Sequence, residues 1–288
     1  MIHTPGRPWY ENDGSQSFTE HVVSTVLDGL YGVYAFDLDA DGEVDVFGAF
    51  YYDATFAWYE NDGSQSFTER IITTLASGAN SIVPIDVDGD GDADVLAASR
   101  DDDTVAWHEN DGSQSFTEHI ITTSKIGAGA VFAIDFDSDG DVDALDASHR
   151  DNTVAWYEND GSQSFTERTI TNSAEGAVWV FAIDLDGDGD VDALTGSCTD
   201  DTVAWYENDG SQSLTEHIIT TLADYSRGGF AIDVDGDGDV DPLSANKDVD
   251  TVAWYENDCG TLAPTAAPSA SPAPTATAAP TTAAPTPK

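Results

Sequence analysis

One acidic sequence, D-x-D-x-D-G-x-x-D, occurs five times in the chain at a constant spacing of 49 residues, beginning at Asp37, Asp86, Asp135, Asp184 and Asp233. A fixed period in the forties is the length of one four-stranded propeller blade. Such a unit cannot bury its apolar face alone, so it packs against its neighbours. The period therefore predicts an array of similar units and excludes a fold built around one central core.

Each repeat contains four strand-like runs, a to d, separated by turn residues. In the fourth copy they are predicted at about 180–184, 192–196, 202–207 and 214–220. The acidic sequence joins a to b, and Asn-Asp-Gly-Ser-Gln-Ser joins c to d. A tryptophan recurs in strand c, where an aromatic ring is expected to pack against the next blade. The predicted fold class is all-β, a β-propeller of four-stranded blades.

The acidic loop has the donor set of a calcium site: carboxylates at positions 1, 3, 5 and 9, a turn glycine at position 6 and a backbone carbonyl at position 7. Zinc would favour His or Cys. A solvated acidic turn is the alternative for a single loop, but five complete copies favour metal, about five Ca²⁺ in all. An EF-hand is excluded, since it needs a Glu at position 12 and these loops have Gly48, Ala97, Asp146, Thr195 or Ser244 there. The predicted metal residues, at positions 1, 3, 5, 7 and 9, are Asp37, Asp39, Asp41, Glu43 and Asp45; Asp86, Asp88, Asp90, Asp92 and Asp94; Asp135, Asp137, Asp139, Asp141 and Asp143; Asp184, Asp186, Asp188, Asp190 and Asp192; and Asp233, Asp235, Asp237, Asp239 and Asp241.

The loop, the Val-Asp-Ala-Leu run that follows it and the Val-Ala-Trp-Tyr-Glu-Asn-Asp-Gly run resemble the FG-GAP/VCBS-type repeats of integrin-like β-propellers. The resemblance covers about residues 9–258 and implies a calcium-binding propeller. The literal Phe-Gly…Gly-Ala-Pro signature is not met. Repeats of this kind occur in adhesins, lectin-like proteins and accessory parts of polysaccharide-degrading enzymes, so the resemblance implies a fold and a metal and leaves the ligand open.

The number of strands suggests how the array closes. Runs a, b and d occur five times and run c six times. The first c run contains Pro8, which lacks an N–H for pairing, so we expect Phe18–Val23 to supply strand d to the last blade and to close a ring of five blades. A fragment of a larger propeller is the alternative, because the resembling family more often has seven blades. The expected organisation is a lead-in with a degenerate strand over 1–17, the propeller over 18–258 and a disordered Pro/Ala/Thr-rich tail or linker over 259–288.

Charge and composition limit the kinds of partner that the protein can bind and indicate where it is located. The formal net charge of −46 arises from 55 acidic and 9 basic residues, which argues against binding to nucleic acid or to an anionic membrane. No apolar run is long enough to insert in a membrane, and no signal-peptide pattern is present, so the N-terminus is expected to be incomplete or the export route unusual. Calcium loops and a stalk-like tail indicate an extracellular or cell-surface location. Cys198 and Cys259 are predicted at opposite ends of a blade and should not meet.

No catalytic constellation is found. His21, His119 and His217 share one strand-d position with Arg70 and Arg168, which favours a half-exposed strand face over a catalytic role. The obvious carboxylate pairs belong to the metal loops, whereas general acid catalysis needs a carboxyl that can hold a proton. The sequence therefore favours a non-catalytic extracellular propeller that acts as an adhesion or glycan/protein-binding module. The alternatives are an accessory or catalytic module of a secreted carbohydrate-active enzyme, and a structural spacer.

A ligand surface is predicted at the end of the blades opposite the calcium loops, where the b–c and d–a connections lie. These connections differ most between copies, and they bring aromatic rings beside isolated cations, which suits an acidic or sulfated polysaccharide. The alternative is that the loops vary without binding anything, because several Asp residues lie among them. The candidate ligand-binding residues are Tyr51, Tyr52, Arg100, Lys125, Arg150, Trp179, Tyr225, Arg227 and Lys247.

Overall fold

The computed structural model describes residues 8–12, 14–15 and 17–258, and every regular element among them is a β-strand. The strands form antiparallel sheets that follow one another along the chain as the blades of a propeller. Four blades have four strands and the fifth has three. The prediction of an all-β propeller with five blades is confirmed. Within this part of the chain there is no helix long and apolar enough to cross a membrane.

The repeat period sets the strand order. The N-terminal hairpin is β1 (Pro8–Asn12) and β2 (Phe18–Val22). Blade 1 is β3 (Leu30–Phe36), β4 (Asp45–Phe50), β5 (Thr55–Asn61) and β6 (Phe67–Thr73); blade 2 is β7 (Ala79–Ile85), β8 (Asp94–Ser99), β9 (Thr104–Asn110) and β10 (Phe116–Thr122). Blade 3 is β11 (Ala128–Ile134), β12 (Asp143–Ser148), β13 (Thr153–Asn159) and β14 (Phe165–Thr171); blade 4 is β15 (Ala177–Ile183), β16 (Asp192–Ser197), β17 (Val203–Asn208) and β18 (Leu214–Thr220); blade 5 is β19 (Ser226–Ile232), β20 (Asp241–Asn246) and β21 (Thr251–Trp254).

The core lies between the blades, as the period requires. The a strands of successive blades pack together, β3 on β7, β7 on β11, β11 on β15 and β15 on β19. Strand b is the most buried: all six residues of β8, β12 and β16 are buried, and their apolar side chains alternate between the two neighbouring blades. In one such cluster Leu145, Val154 and Trp156 of blade 3 pack against Ala177 and Tyr206 of blade 4.

The predicted closure of the ring is wrong. Strand β2 pairs with β1, in a register that sets Pro8 opposite Val22 and Asn12 opposite Phe18, and in the described residues no strand d is paired with β21. Two physical reasons explain the difference. Pro8 is the first residue of its strand, where a missing N–H costs least. A hairpin also closes a loop of a few residues, whereas pairing β2 with β21 closes a loop through almost the whole chain at a higher entropic cost. The lead-in is thus an ordered strand over residues 8–12, while residues 1–7 and 259–288, including Cys259, lie outside the described residues.

Candidate functional site

The first aspartate of each acidic loop folds the loop. In blade 2, Oδ1 of Asp86 accepts a hydrogen bond from the Gly89 N–H at 2.8 Å, and Oδ2 accepts one from the Gly91 N–H at 3.0 Å. The Gly91 φ of 98° lies in the left-handed region, where glycine is favoured. The bond from the N–H of position 6 to Oδ2 of position 1 recurs in all five loops. Position 1 therefore folds the first six residues of the loop back onto itself.

The aspartate at position 9 fixes the loop to the blade. Asp94 begins β8 and is buried; its Oδ2 accepts from the Val87 N–H at 3.0 Å and its Oδ1 from the Asn110 N–H at 2.8 Å. The same two bonds recur at Asp45, Asp143, Asp192 and Asp241. One side chain thus connects the start of the acidic loop, the start of strand b and the end of strand c, which fastens the loop to the blade.

Carboxylate oxygens converge in every loop. In each blade three of them lie within 4.8 Å of one another, from positions 1, 3 and 5 in blades 1 and 2 and from positions 1, 3 and 9 in blades 3 to 5. Such a set of hard oxygen donors fits Ca²⁺ and lacks the nitrogen or sulfur that zinc favours. The residues that converge are Asp37, Asp39 and Asp41; Asp86, Asp88 and Asp90; Asp135, Asp137 and Asp143; Asp184, Asp186 and Asp192; and Asp233, Asp235 and Asp241.

The electrostatics of these clusters favour a cation. Burial, followed by repulsion from neighbouring loop aspartates, raises the pKa of Asp88, and the same holds for Asp137. Burial also raises the pKa of Asp94 to about 6 and that of Asp143 to about 7, although backbone N–H groups oppose the rise. Burial and mutual repulsion therefore disfavour the ionised forms of several neighbouring carboxylates. A bound cation would offset this unfavourable free energy.

In blades 2 to 4 the residue at position 7 turns its side chain away from the cluster. A Cβ on Gly112, in the c–d turn, would lie 2.5 Å from Oδ2 of Asp92, so this carboxylate rests against that turn. The same arrangement holds for Asp141 beside Gly161 and for Asp190 beside Gly210. Only the backbone carbonyl of position 7 is left for a metal, which is the role expected from the sequence.

At the other end of the blades, the b–c loops of three blades are joined by side chains. The Tyr51 hydroxyl donates to Oδ2 of Asp101 at 2.7 Å, and the Arg150 guanidinium donates to Oδ1 of the same carboxylate at 3.0 Å. The hydrogen bond from Tyr51 and the charge of Arg150 lower the pKa of Asp101. Asp101 is therefore held ionised and aligns an aromatic ring and a cation.

Blade 5 adds a second aromatic ring between cations. The guanidinium carbon of Arg227 lies 4.7 Å from the centre of the Tyr225 ring, and Nζ of Lys247 lies 4.6 Å from it. Cations at these distances are attracted to the ring face. Arg227 also donates to the Tyr225 hydroxyl at 3.1 Å.

His149 lies near these cations. Burial lowers its pKa, and the positive charges of Arg100, Arg227 and Arg150 lower it further. His149 Nδ1 and Arg100 Nε are buried without a hydrogen-bond partner among the described residues. We call Tyr51, Arg100, His149, Arg150, Tyr225, Arg227 and Lys247 the cationic cluster. Sequence reasoning missed His149, although it occupies the same repeat position as Tyr51, Arg100, Cys198 and Lys247, 49 residues apart.

Three predicted ligand residues lie outside this cluster. Trp179 is buried between blades 4 and 5, where its Nε1 donates to Ser226 Oγ at 3.0 Å and its ring fills the space left by Gly229. Lys125 is buried, and its Nζ lies 2.7 Å from Oε1 of Glu167. We remove both from the candidate ligand set. Tyr52 is exposed, with its ring edge-on to Tyr31 beside the cluster.

The strand-d histidines have a structural environment. The His119 ring stacks on Trp107 with 4.5 Å between ring centres, and its Nε2 lies 2.6 Å from Oε2 of Glu109. The Trp9 and Trp205 rings stack with His21 and His217 in the same way. Arg70 and Arg168 take this position in blades 1 and 3 and bond Glu60 and Glu158 through two nitrogens each. A tryptophan and a glutamate can hold either side chain, which explains the exchange between His and Arg.

Comparisons with known proteins are consistent with this geometry. The sequence profile of the FG-GAP-like repeat matches residues 37–97, 86–145, 135–195 and 185–244. No curated protein matches the chain significantly. Among solved structures, a protein from Lactobacillus plantarum is similar with a TM-score of 0.58 at 15% identity, over 87% of this chain and 77% of that one.

Two further solved structures have described activities of their own. A catalytically inactive virginiamycin B lyase from Staphylococcus aureus with quinupristin has a TM-score of 0.52 at 12% identity, over 87% of this chain and 74% of that one. An auxiliary nutrient binding protein from Bacteroides ovatus has a TM-score of 0.55 at 12% identity, over 79% of this chain and 55% of that one. At such identities the likeness shows the fold alone.

Proposed function

Because the chain belongs to the FG-GAP-like repeat family, we propose that it is a calcium-loaded, non-catalytic extracellular propeller that binds an anionic glycan through the cationic cluster. The acidic loops would hold about five Ca²⁺ through the carboxylates of positions 1, 3, 5 and 9 and the carbonyl of position 7. Calcium supplies the positive charge that these crowded carboxylates need, and it is plentiful outside the cell. The role of the metal is to keep the blades rigid beneath the binding surface.

The observation that carries this proposal is that cations lie beside tyrosines at one end of the blades, Arg150 joined to Tyr51 through Asp101 and Arg227 and Lys247 over the Tyr225 ring, in a protein with a net charge of −46. Bringing like charges together costs free energy, and that cost is recovered when an anion binds between them. Arg100 Nε and His149 Nδ1 are buried without a partner within the described ranges, which is uncommon for buried polar groups. Loops that only connect strands and bind no ligand would have no reason to place several of the chain's few cations close together.

Two features favour a sugar polymer as the anion. Tyr51 and Tyr225 offer ring faces beside the cations, and aromatic faces stack on the apolar faces of sugars. Arginine forks pair with carboxylate or sulfate oxygens through two parallel hydrogen bonds. The acidic body of the protein repels polyanions elsewhere, so a uronate or sulfated polysaccharide should bind at the cluster and nowhere else.

The absence of turnover is part of the proposal. Asp101, the carboxylate that bonds Tyr51 and Arg150, is exposed and its pKa is lowered. A glycosidase acid needs a raised pKa. His149 has a lowered pKa and stands among cations, which suits a hydrogen-bond donor to an anion.

The proposal is tested by measuring calorimetric binding to alginate-, pectin- and carrageenan-type polymers in calcium buffer. We expect wild type to bind at least one polymer, and Arg100→Ala/Arg227→Ala to lose most of that binding while keeping its melting temperature. The matched control is Arg70→Ala/Arg168→Ala, which removes the same charge from exposed strand-d positions and should bind as wild type does. Binding should also weaken with added salt.

Two results would contradict the proposal. If no polymer binds, or if both double variants weaken binding equally, the cationic cluster is not a glycan site. Release of shortened or unsaturated sugars by the purified chain would replace the binding role with the enzymatic alternative.

A further inference from the structure

The two ends of the array expose apolar surfaces that internal blades bury. On blade 5, Val252 is 78% exposed while its counterpart Val203 in blade 4 is fully buried, and Trp254 is 44% exposed while Trp156 in blade 3 is 2% exposed. We call this surface the front face of blade 5. Its members are Phe230, Ile232, Val234, Val252 and Trp254.

The opposite end of the array shows the complementary surface. Val33 on β3 is 63% exposed, whereas Val131, at the same position in blade 3, is 5% exposed. We call Val33, Ala35 and Val46 the back face of blade 1. The hairpin covers only the outer part of this face, and a largely apolar cavity of about 420 Å³ remains between the back face and Trp9. The inner part of the back face therefore has no blade against it in the described residues.

Front and back faces are the two sides of an interface that the chain already makes four times. Phe47 and Phe56 of blade 1 pack against Ile82 and Val95 of blade 2, and equivalent clusters join blades 2 to 3, 3 to 4 and 4 to 5. Because the blades are similar in sequence, the front face of blade 5 and the back face of blade 1 present apolar side chains at the positions that pack together inside the array. We propose that the front face of blade 5 binds the back face of blade 1 of a second copy, head to tail.

The exposure of both faces favours a second copy over the chain's own other end. Packing like that between β15 and β19 is absent between β19 and β3 in the described part of the chain, and Val33 and Phe230 both stay exposed. An interface between two different surfaces is heterologous, and it extends from copy to copy until the rotation closes a ring. Association buries the apolar surface that each monomer leaves in water.

The strands at the two ends complement each other as well. The hairpin corresponds to strands c and d of a blade that would precede blade 1, because Trp9 lies 49 residues before Trp58. Trp9 also lines the cavity on the back face. Strands β19 and β20 of the second copy supply a and b. In this arrangement β1 takes the place of β21, whose four residues are mostly exposed, so the contact with the back face is made by the other front-face residues, Phe230, Ile232 and Val234.

Charge sets the conditions for association. Two chains that each carry a formal charge of −46 repel one another at low ionic strength. Salt shortens the range of this repulsion to about 8 Å at physiological strength. Association should therefore strengthen with added salt, the opposite of what is expected for binding to a polyanion.

The test is sedimentation velocity and light scattering over a range of protein concentrations. We expect the mass of wild type to rise with concentration from the 30.5 kDa of one chain towards multiples of it. Phe230→Asp and Val33→Asp place a charge on the front and back face respectively, at exposed positions where the monomer should still fold. Each variant alone should remain monomeric. A 1:1 mixture should form a dimer, because one variant keeps an intact back face and the other an intact front face.

The matched control is Leu75→Asp, which adds the same charge at an exposed loop position and should associate as wild type does. Three results would overturn the proposal: a wild-type mass of one chain at every concentration and salt, association that neither end-face variant weakens, or a mixture of the two variants that remains monomeric.

Discussion

Asp146 is a buried acidic residue in blade 3, and no other blade has an acidic residue at this position. It lies in the middle of β12 and is fully buried, while the same repeat position holds Gly48, Ala97, Thr195 or Ser244. Its Oδ2 accepts a hydrogen bond from the Ser148 hydroxyl, and its Oδ1 has no partner among the described residues. Lys125 is the cation that acts on it, but Lys125 is already paired with Glu167. An ionised Asp146 is therefore poorly compensated.

The pKa gives the size and the sign of the effect. Burial, partly opposed by the Ser148 hydroxyl and Lys125, raises the pKa of Asp146 from 3.8 to about 7. One pKa unit corresponds to about 1.4 kcal/mol, so the shift costs at most about 4 kcal/mol once the carboxyl is ionised. The folded pKa lies above the unfolded one. The contribution of Asp146 to stability is therefore fully present below about pH 4 and is lost as pH rises to about 7.

We predict that Asp146→Ala stabilises the protein at neutral and alkaline pH. Relative to wild type, its free energy of unfolding should rise by about 1.4 kcal/mol per pH unit between pH 5 and pH 7 and then level off. Loss of the hydrogen bond to Ser148 subtracts about 1 kcal/mol at every pH. The measurement is urea unfolding from pH 5 to pH 8 with saturating calcium, so that the metal ligands stay ionised in both proteins. Asp146→Asn keeps the shape of the side chain but removes its charge, so its stability relative to wild type should depend on pH as that of Asp146→Ala does.

A difference between wild type and Asp146→Ala that does not change with pH would refute this reasoning. So would an Asp146→Ala protein less stable than wild type at pH 8. Either result would mean that Lys125 or an internal water compensates the ionised carboxylate fully.

Three further predictions concern the repeat. Asp188→Ala removes one carboxylate from one loop, so calorimetry should count one calcium ion fewer while the fold survives; loss of all binding would show that the sites are not independent. Gly112→Ala should destabilise the protein more than Gly14→Ala does in chemical unfolding, because both glycines have a positive φ but only a Cβ at Gly112 would meet the Asp92 carboxylate; equal losses would reduce the effect to backbone strain. His119→Arg should change the melting temperature little, since Arg occupies that register in two other blades, and a large loss would give the imidazole a role of its own.

The repeat made most of the fold predictable from sequence. The predicted strands of the fourth copy agree with β15 to β18 to within a few residues, because the same turn residues recur at every boundary. The acidic loops were predictable for the same reason: the residue spacing alone places the carboxylates around one point, and the structure adds the backbone hydrogen bonds that hold them there.

What the repeat could not predict lies where the copies differ or end. Pairing of β2 depends on whether a local hairpin is more stable than a long-range closure, and both have compatible sequences. From the sequence, Trp179 is predicted to lie in a variable d–a loop on the ligand surface. It is buried instead, because Gly229 leaves a space for its ring in the next blade. His149 belongs to a set of five side chains related by the repeat period, and its environment depends on variable residues of other blades, among them Arg100 and Arg227.

The most direct test of the account is calcium binding followed together with stability. Three to four carboxylates crowded in each loop repel by about 4 kcal/mol per pair at an effective dielectric of 20, and a site at 100 times its dissociation constant adds about 2.7 kcal/mol. We predict that calorimetry counts about five Ca²⁺ per chain, and that the melting temperature falls by tens of degrees in EDTA and recovers with Ca²⁺ better than with Mg²⁺. A melting temperature unchanged by EDTA, with no calcium bound, would contradict the proposal that these loops are metal sites.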